Sequence, residues 1–229
     1  MTLERRMQIN IPDLKQQFGE LQNNNPNDPR VTLLEFAGLI QVYGGAMKGI
    51  NAKLEVLDDE FHIHHSHNPI HHIECRIKGL KSIYDKMQRY GVPLTLDSAR
   101  EHVKDIAGIR VVCNFIDDIY VMEKLLLKQP DIELAERKDY IENPKDNGYR
   151  SLHLVIKTPV FLSDRTEYAP VEIQMRTIAM DYWASLEHML RYKNGKCDTS
   201  RYMAMLRDCA DTLVKTEETM RDIRINIEN

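Results

Sequence analysis

The chain has no C-x-x-C pair, no apolar signal region at its N-terminus and no apolar run long enough to span a membrane. Its four cysteines, Cys75, Cys113, Cys197 and Cys209, are scattered, which gives little support to a structural zinc site and suits a reducing compartment. The expected location is therefore cytoplasmic, with no membrane partner. A large excess of positive charge is also missing. Thirty-one Lys and Arg against 35 Asp and Glu leave a net charge of −4. That excludes a broad basic surface for duplex nucleic acid but leaves room for local basic clusters around a small phosphorylated ligand. What the chain does have is 229 residues, 42% hydrophobic and 29% charged, enough for one large domain with a sizeable core.

The elements alternate. "NNNPNDPR", 23–30, reads as a loop, and "LKQQFGEL" before it as one or two helical turns. Residues from Val31 to about Glu60 carry a helical pattern, with Gly44–Gly45 expected to weaken or kink it. Strand-like stretches follow at Ile70–Lys78 and Ile106–Phe115, and helical ones at Leu80–Tyr90, Asp97–Lys104 and Asp118–Lys128. Then "DIELAERKDYI", "SLHLVIKTPVFL" and "EYAPVEIQMRT" succeed one another with no helix between them, so part of the sheet should be antiparallel. The expected fold is α+β, a mixed sheet of about five strands flanked by helices. Its expected parts are an N-terminal helical extension over 1–67, a central domain over 68–195 and a C-terminal helix over 196–229. In that last helix Met203, Leu206, Ala210, Leu213 and Met220 form an apolar seam, which either packs on the chain itself or makes a subunit contact.

Strand alternation separates buried from presented residues. In "VEIQMR" Val171, Ile173 and Met175 share one face, and Glu172, Gln174 and Arg176 the other. In "ECRIK" Glu74, Arg76 and Lys78 fall together. A solvated sheet face or a charged edge strand produces the same patterns. "DIAGIR" says more, because Asp105 opens a strongly apolar strand where a carboxylate can reach a divalent ion. Gly108 permits close approach, and Arg110 projects from a strand that otherwise reads as core. "KDNGYRSLH" runs from an Asn-Gly turn into a strand, which sets Tyr149, Ser151 and His153 on one face. An aromatic beside a tight turn suits base stacking.

"CRIKGLKSIYDKM", "DIAGIR", "KDYIENPKDNGYRSLH", "VEIQMRT" and "IAMDYWASLEHMLRYK" resemble, in order and spacing, the RelA/SpoT alarmone synthetase domain over roughly Asn68 to Lys193. The "NPIHH" lead-in is similar to the RelP-type branch of small alarmone synthetases. The resemblance implies a nucleotidyltransferase-like synthetase fold and transfer of pyrophosphate from ATP to the 3′-hydroxyl of GDP or GTP. On the same basis Arg76 and Arg110 would sandwich the adenine, and Lys78, Ser82 and Lys86 would line the ATP phosphates. Asp105 and Glu172 would hold Mg²⁺, with Glu172 as general base. Tyr149 would stack on guanine, and Lys138, Lys145, Asn147, His153 and Gln174 would position the acceptor. A homotetramer is implied too, with the flanking helices as contacts. Glu136 stands where the long relatives carry a basic residue, which leaves the contacts to the acceptor phosphates, and the GDP/GTP preference, open. No His-Asp dipeptide of the long relatives' hydrolase half occurs, so synthesis without hydrolysis is expected.

Two other readings compete. One is a different nucleotidyltransferase-like reaction. The other is a metal-sensing or helical interaction module built on "HIHHSHNPIHH", which holds six of the nine histidines. His62 and His65 lie at helical i, i+3 spacing, yet no recognisable ligand set completes around them, so a solvated cluster is expected. A bound Zn²⁺ there would inhibit rather than catalyse.

Overall fold

The computed structural model describes residues 32–193 and 199–228, together with positions 12, 15–17 and 19. Of the turns expected in "LKQQFGEL", positions 15–17 and 19 are helical, while the loop at 23–30 and Cys197 lie outside the described residues. The first long helix, α1 (Leu33–His64), starts where Thr32 and Glu35 form a reciprocal cap. The Thr32 hydroxyl accepts from the Glu35 amide at 3.2 Å, and the Glu35 carboxylate accepts from the Thr32 amide at 2.8 Å. Helix α1 then runs unbroken through Gly44–Gly45, against expectation. Packing is the reason for Gly45, since a Cβ there would fall 2.7 Å from Val160 Cγ1. Gly45 lets helix and sheet approach closely, whereas a Cβ on Gly44 would meet nothing within 4 Å, and the helical propensity lost is outweighed by burial of Phe36, Leu39, Ile50 and Leu54.

Beyond α1 come β1 (Ile70–Ile77), α2 (Leu80–Tyr90), α3 (Leu96–His102), β2 (Ala107–Cys113) and α4 (Ile116–Leu127). The chain continues through β3 (Glu133–Asp139), β4 (Leu152–Phe161), β5 (Thr166–Thr177), α5 (Ile178–Lys193) and α6 (Thr199–Glu228). The five strands lie in the order β1-β2-β5-β4-β3. Only β2 and β5 pair in parallel; every other pairing is antiparallel, as expected of a mixed sheet. The alternation read from "VEIQMR" holds, with Val171, Ile173 and Met175 wholly buried. They pack with Ile109, Val111, Leu152, Leu154 and Ile156 beneath α1. The other face of the sheet is left for Arg110, His153, Glu172 and Gln174.

The C-terminal seam divides. Leu206, Ala210 and Leu213 turn inward and, with Trp183, Ala184 and Tyr149, make a small satellite core. Met203 and Met220 stay exposed, together with Ile223 and Ile227 further along. Among the described residues no helix is long and apolar enough to cross a membrane.

Candidate active site

A cavity of about 570 Å³ opens on the polar face of the sheet, with Arg76, Lys78, Ser82, Asp105, Arg110, Glu172 and Gln174 in its lining. Local structure explains the convergence. Just past the end of β1 the Lys78 amide donates to Ile106 O at 2.8 Å, which sets the lysine beside Asp105 at the threshold of β2. Lys78 Nζ bonds Asp105 Oδ2, and Lys86 Nζ lies 2.9 Å from Oδ1. Ser82 and Lys86 stand one helical turn apart on α2, so both reach the same space. Burial alone would raise the Asp105 pKa, but the two ammonium groups outweigh it and the carboxyl lies below its ordinary value. For Lys86 burial likewise opposes the charge, and Asp105 more than restores it, leaving the pKa raised. Both shifts favour the charged forms of Asp105 and Lys86.

The two arginines assigned to the adenine occupy one face of the β1–β2 pair. Arg76 stands opposite Gly108 and Glu74 opposite Arg110. A Cβ at Gly108 would meet nothing nearer than 3.8 Å, so the backbone does not demand glycine there; its effect is to leave the surface between the arginines and Glu172 open. Arg110 Nη1 is shared by Glu74 at 3.1 Å and Asp181 at 3.2 Å. Its Nε is buried without a partner among the described residues, a donor suited to a ligand.

Parallel pairing of β2 with β5 sets Glu172 opposite Gly108 and Gln174 opposite Arg110. Glu172 Oε2 accepts from Gln174 Nε2 at 3.0 Å, and Oε1 lies 3.5 Å from His153 Nδ1. Burial pushes its pKa up, yet His153 and Gln174 more than compensate, and the net shift is downward. Behind it runs a relay. Arg176 Nη2 donates to the Tyr149 hydroxyl at 2.8 Å, and that hydroxyl lies 2.7 Å from His153 Nε2. Arg176 has only donors to offer, so the phenolic proton turns to Nε2. On its other side the ring turns Nδ1 toward Glu172.

The remaining acceptor candidates lie along β3 and the loop into β4. Lys138 stands opposite His153, with its ammonium 2.7 Å from Glu136. Lys145 sits over the rings of Tyr140 and Tyr149, 4.5 and 4.7 Å from their centroids. The Asn147 side chain caps the turn, its Oδ1 accepting from the Tyr149 amide at 3.1 Å. The structure therefore gathers Arg76, Lys78, Ser82, Asp105 and Arg110 with Glu172 and Gln174 in one cavity, holds Lys86 at its side through Asp105, and strings Lys138, Lys145, Tyr149 and His153 beside it. Sequence reasoning passed over Asp181, which holds both Arg110 and Arg176, and over Asp85 and Arg89, which line the cavity. A carboxylate in the first turn after the "VEIQMRT" strand was the available signal for Asp181.

Asp105, just before β2, and Glu172 on β5, with space for phosphate oxygens, form a hard-oxygen donor set of the kind Mg²⁺ takes when substrate completes its shell. Two histidines of the run are engaged elsewhere. His67 Nε2 lies 2.8 Å from Asp118, and His62 Nδ1 3.0 Å from Asp58 O. Among the described residues no three His, Cys, Asp or Glu side chains converge as a metal site.

A polar sheet face with paired arginines, lysines clamped on one carboxylate and a second carboxylate alongside defines a phosphate-handling transferase. The chain belongs to the RelA/SpoT family: the model for the region found in RelA / SpoT proteins matches residues 75–197. It is 38% identical over 209 residues to the GTP pyrophosphokinase YwaC of Bacillus subtilis, covering 91% of this chain and all of that one. Among solved structures it is similar to the B. subtilis small alarmone synthetase 1 bound to its product pppGpp. The TM-score is 0.78 at 31% identity, over 85% of this chain and 99% of that one. The B. subtilis small alarmone synthetase 2 aligns with a TM-score of 0.73 at 40% identity, over 82% and 97%.

Proposed function

We propose that the protein is a small alarmone synthetase that transfers the β,γ-pyrophosphoryl group of ATP to the 3′-hydroxyl of GDP or GTP. The 3′-oxygen bonds to the β-phosphorus as the bond from that phosphorus to the α-phosphate oxygen breaks, giving AMP and ppGpp or pppGpp. The observation that carries this reading is the Lys78–Asp105–Lys86 cluster facing Glu172 across Gly108. Arg76 and Arg110 hold the adenine, and Lys78, Ser82 and Lys86 the triphosphate. Asp105 and Glu172 hold Mg²⁺, which when bound neutralises phosphate charge. Tyr149 stacks on guanine, and Lys138, Lys145, Asn147, His153 and Gln174 place the acceptor. Glu172 is the general base. Its lowered pKa means that it takes the proton only as the new P–O bond forms, since a ribose hydroxyl is far less acidic.

ATP with GDP or GTP and Mg²⁺, resolved by chromatography, tests the reading. AMP with a 3′-pyrophosphorylated guanosine nucleotide supports it; free pyrophosphate with an adenylylated product supports the rival transferase. We take the enzyme to be cytoplasmic and to synthesise without hydrolysing, so ppGpp with Mn²⁺ should release no pyrophosphate. The exposed apolar residues of α5 and α6, Tyr182, Leu190 and Met220 among them, suit the contacts of a homotetramer, which light scattering would measure. Inhibition by Zn²⁺ at the histidine run is tested by titrating wild type and a His64→Ala/His65→Ala double variant; identical responses would sink it.

A further inference from the structure

A second cavity, of about 550 Å³, lies beyond Glu172 where β5 extends past its pairing with β2, with Val42 and Tyr43 of α1 also in its lining, and the mechanism above leaves it unused. Its floor is Val155 and Lys157 of β4 with Tyr168 and Pro170 of β5. Val155 pairs with Glu172, Lys157 with Pro170, and Glu136 of β3 with Val155. Alternation puts Val155 and Lys157 on the face of His153, and Pro170 and Tyr168 on that of Glu172. The cavity thus lies in line with the acceptor row, at the end away from Tyr149. A guanosine with its base at Tyr149 and its 3′-oxygen at Glu172 has only its 5′ substituent left to place.

The charges of the cavity suit that substituent. Arg100 of α3 and Lys104, just after it, project into the space from one side, and Lys157 from the floor. The two carboxylates in the lining are already engaged: Glu167 with Arg165 Nε at 2.7 Å, and Glu136 with Lys138 Nζ at 2.7 Å. Lys104 has no ion pair among the described residues. Arg100 and Lys157 have only exposed, long contacts, to Asp97 at 3.8 Å and Glu133 at 3.9 Å, which contribute little in water. Three uncommitted cations around a cavity beside a nucleotide site have polyphosphate as their natural counter-charge.

We infer that Arg100, Lys104 and Lys157 bind the 5′-di- or triphosphate of the acceptor nucleotide. They supply from α3 and β4 the positive charge that Glu136 withholds on β3. The inference rests on the synthetase reading above and says which part of the acceptor the enzyme weighs.

GMP, GDP and GTP, which differ only in 5′-phosphate count, are compared as acceptors or as competitors against GDP. The enzymes are wild type, Lys104→Ala, Lys157→Ala and Arg100→Ala/Lys104→Ala. All three residues are exposed, and a melting curve equal to wild type confirms each variant's fold. The double variant should raise KM for GTP and GDP about tenfold, the loss of one charge-assisted contact or more, with KM for ATP unmoved and the constant for GMP changed less than about twofold. Raised salt should weaken GTP use in wild type more than in the variant. An equal shift for all three acceptors, or none for GTP, overturns the inference. Absence of any 3′-pyrophosphorylated product from wild type refutes the synthetase reading itself, a different and recognisable outcome.

Discussion

Gly148 is the position where one added carbon should travel furthest. It has φ of +89°, donates its amide to Lys145 O at 2.8 Å, and holds the turn that presents Tyr149. A Cβ there would stand 2.7 Å from Ala210 Cβ and 3.2 Å from Arg207 Cα, both on α6. Gly148→Ala therefore has two costs. An alanine at positive φ is strained by roughly 1–3 kcal/mol. Forcing a methyl into the helix contact costs a further 1–3 kcal/mol or so. With Ala210 in place the second cost is relieved only if α6 lifts, since neither the short Ala210 side chain nor the Arg207 Cα can turn aside. Lifting α6 gives up the bond from Trp183 Nε1 to Leu206 O, now 2.8 Å.

The expected result is undocking of α6 from α5, with the sheet left folded. Trp183 is the chain's single tryptophan, so its emission should shift to the red as it hydrates. KM for the acceptor should rise because Tyr149 loses its support, while KM for ATP stays. Ala210→Gly removes the nearest opposing atom. The double variant should recover the steric part, about 1–3 kcal/mol, and keep the strain. Unchanged emission and acceptor KM in Gly148→Ala, or no rescue by Ala210→Gly, would refute the coupling of α6 to the acceptor turn.

Other substitutions separate the site's parts. Glu172→Gln should lower kcat by about 10²–10⁴-fold with little change in ATP binding, measured by single-turnover kinetics; a fall in KM effects alone would deny it the role of base. Tyr149→Ala should weaken acceptor use by the worth of one stacked base, about 1–3 kcal/mol, whereas Tyr149→Phe keeps the ring and loses only the link between Arg176 and His153. Asp105 and Glu172 both have folded pKa values below their ordinary ones. Each adds stability above its unfolded pKa that disappears as pH falls through the folded value, so urea midpoints should drop below about pH 4, less steeply in Asp105→Asn. Glu217 has the opposite sign. Burial raises its pKa despite Thr177 and Arg150, so its ionised form is a liability on α6. Glu217→Gln should raise the melting temperature at neutral pH, and the gain should fade in acid as the wild-type carboxyl protonates.

Short-range pattern carried much of this molecule. Alternation in "VEIQMR" separated Ile173 from Glu172, and the Asn-Gly turn located Tyr149, because both depend on neighbours within a few residues. Gly44–Gly45 was misleading for the opposite reason. Propensity reads them as a weak point in α1, but Val160, far along the chain, needs the missing Cβ. The α6 seam was ambiguous until its partner was known. Leu206 and Ala210 meet Trp183, while Met220 and Ile227 remain on the surface. Asp181 escaped notice because its two arginines come from different strands, a convergence that only the β5–α5 corner creates.

The same distinction separates the two halves of the site. On the donor side, charge is balanced within a compact cluster: Lys78 and Lys86 on Asp105, and Arg110 on Glu74 and Asp181. On the proposed reading an incoming triphosphate would take over the lysines and leave Asp105 free to share a cation, an exchange that would keep every charge compensated. On the acceptor side, the Tyr149 ring is already flanked by Lys145 at 4.7 Å and Arg176 at 5.3 Å. Guanine can stack only by displacing one of them. Arg176 is buried and fixed by Asp181, Gln174 and the Tyr149 hydroxyl, whereas Lys145 sits on a turn and has no comparable anchor among the described residues. If guanine takes the Tyr149 ring as proposed, Lys145 is therefore the group that would move, releasing its ammonium toward the nucleotide.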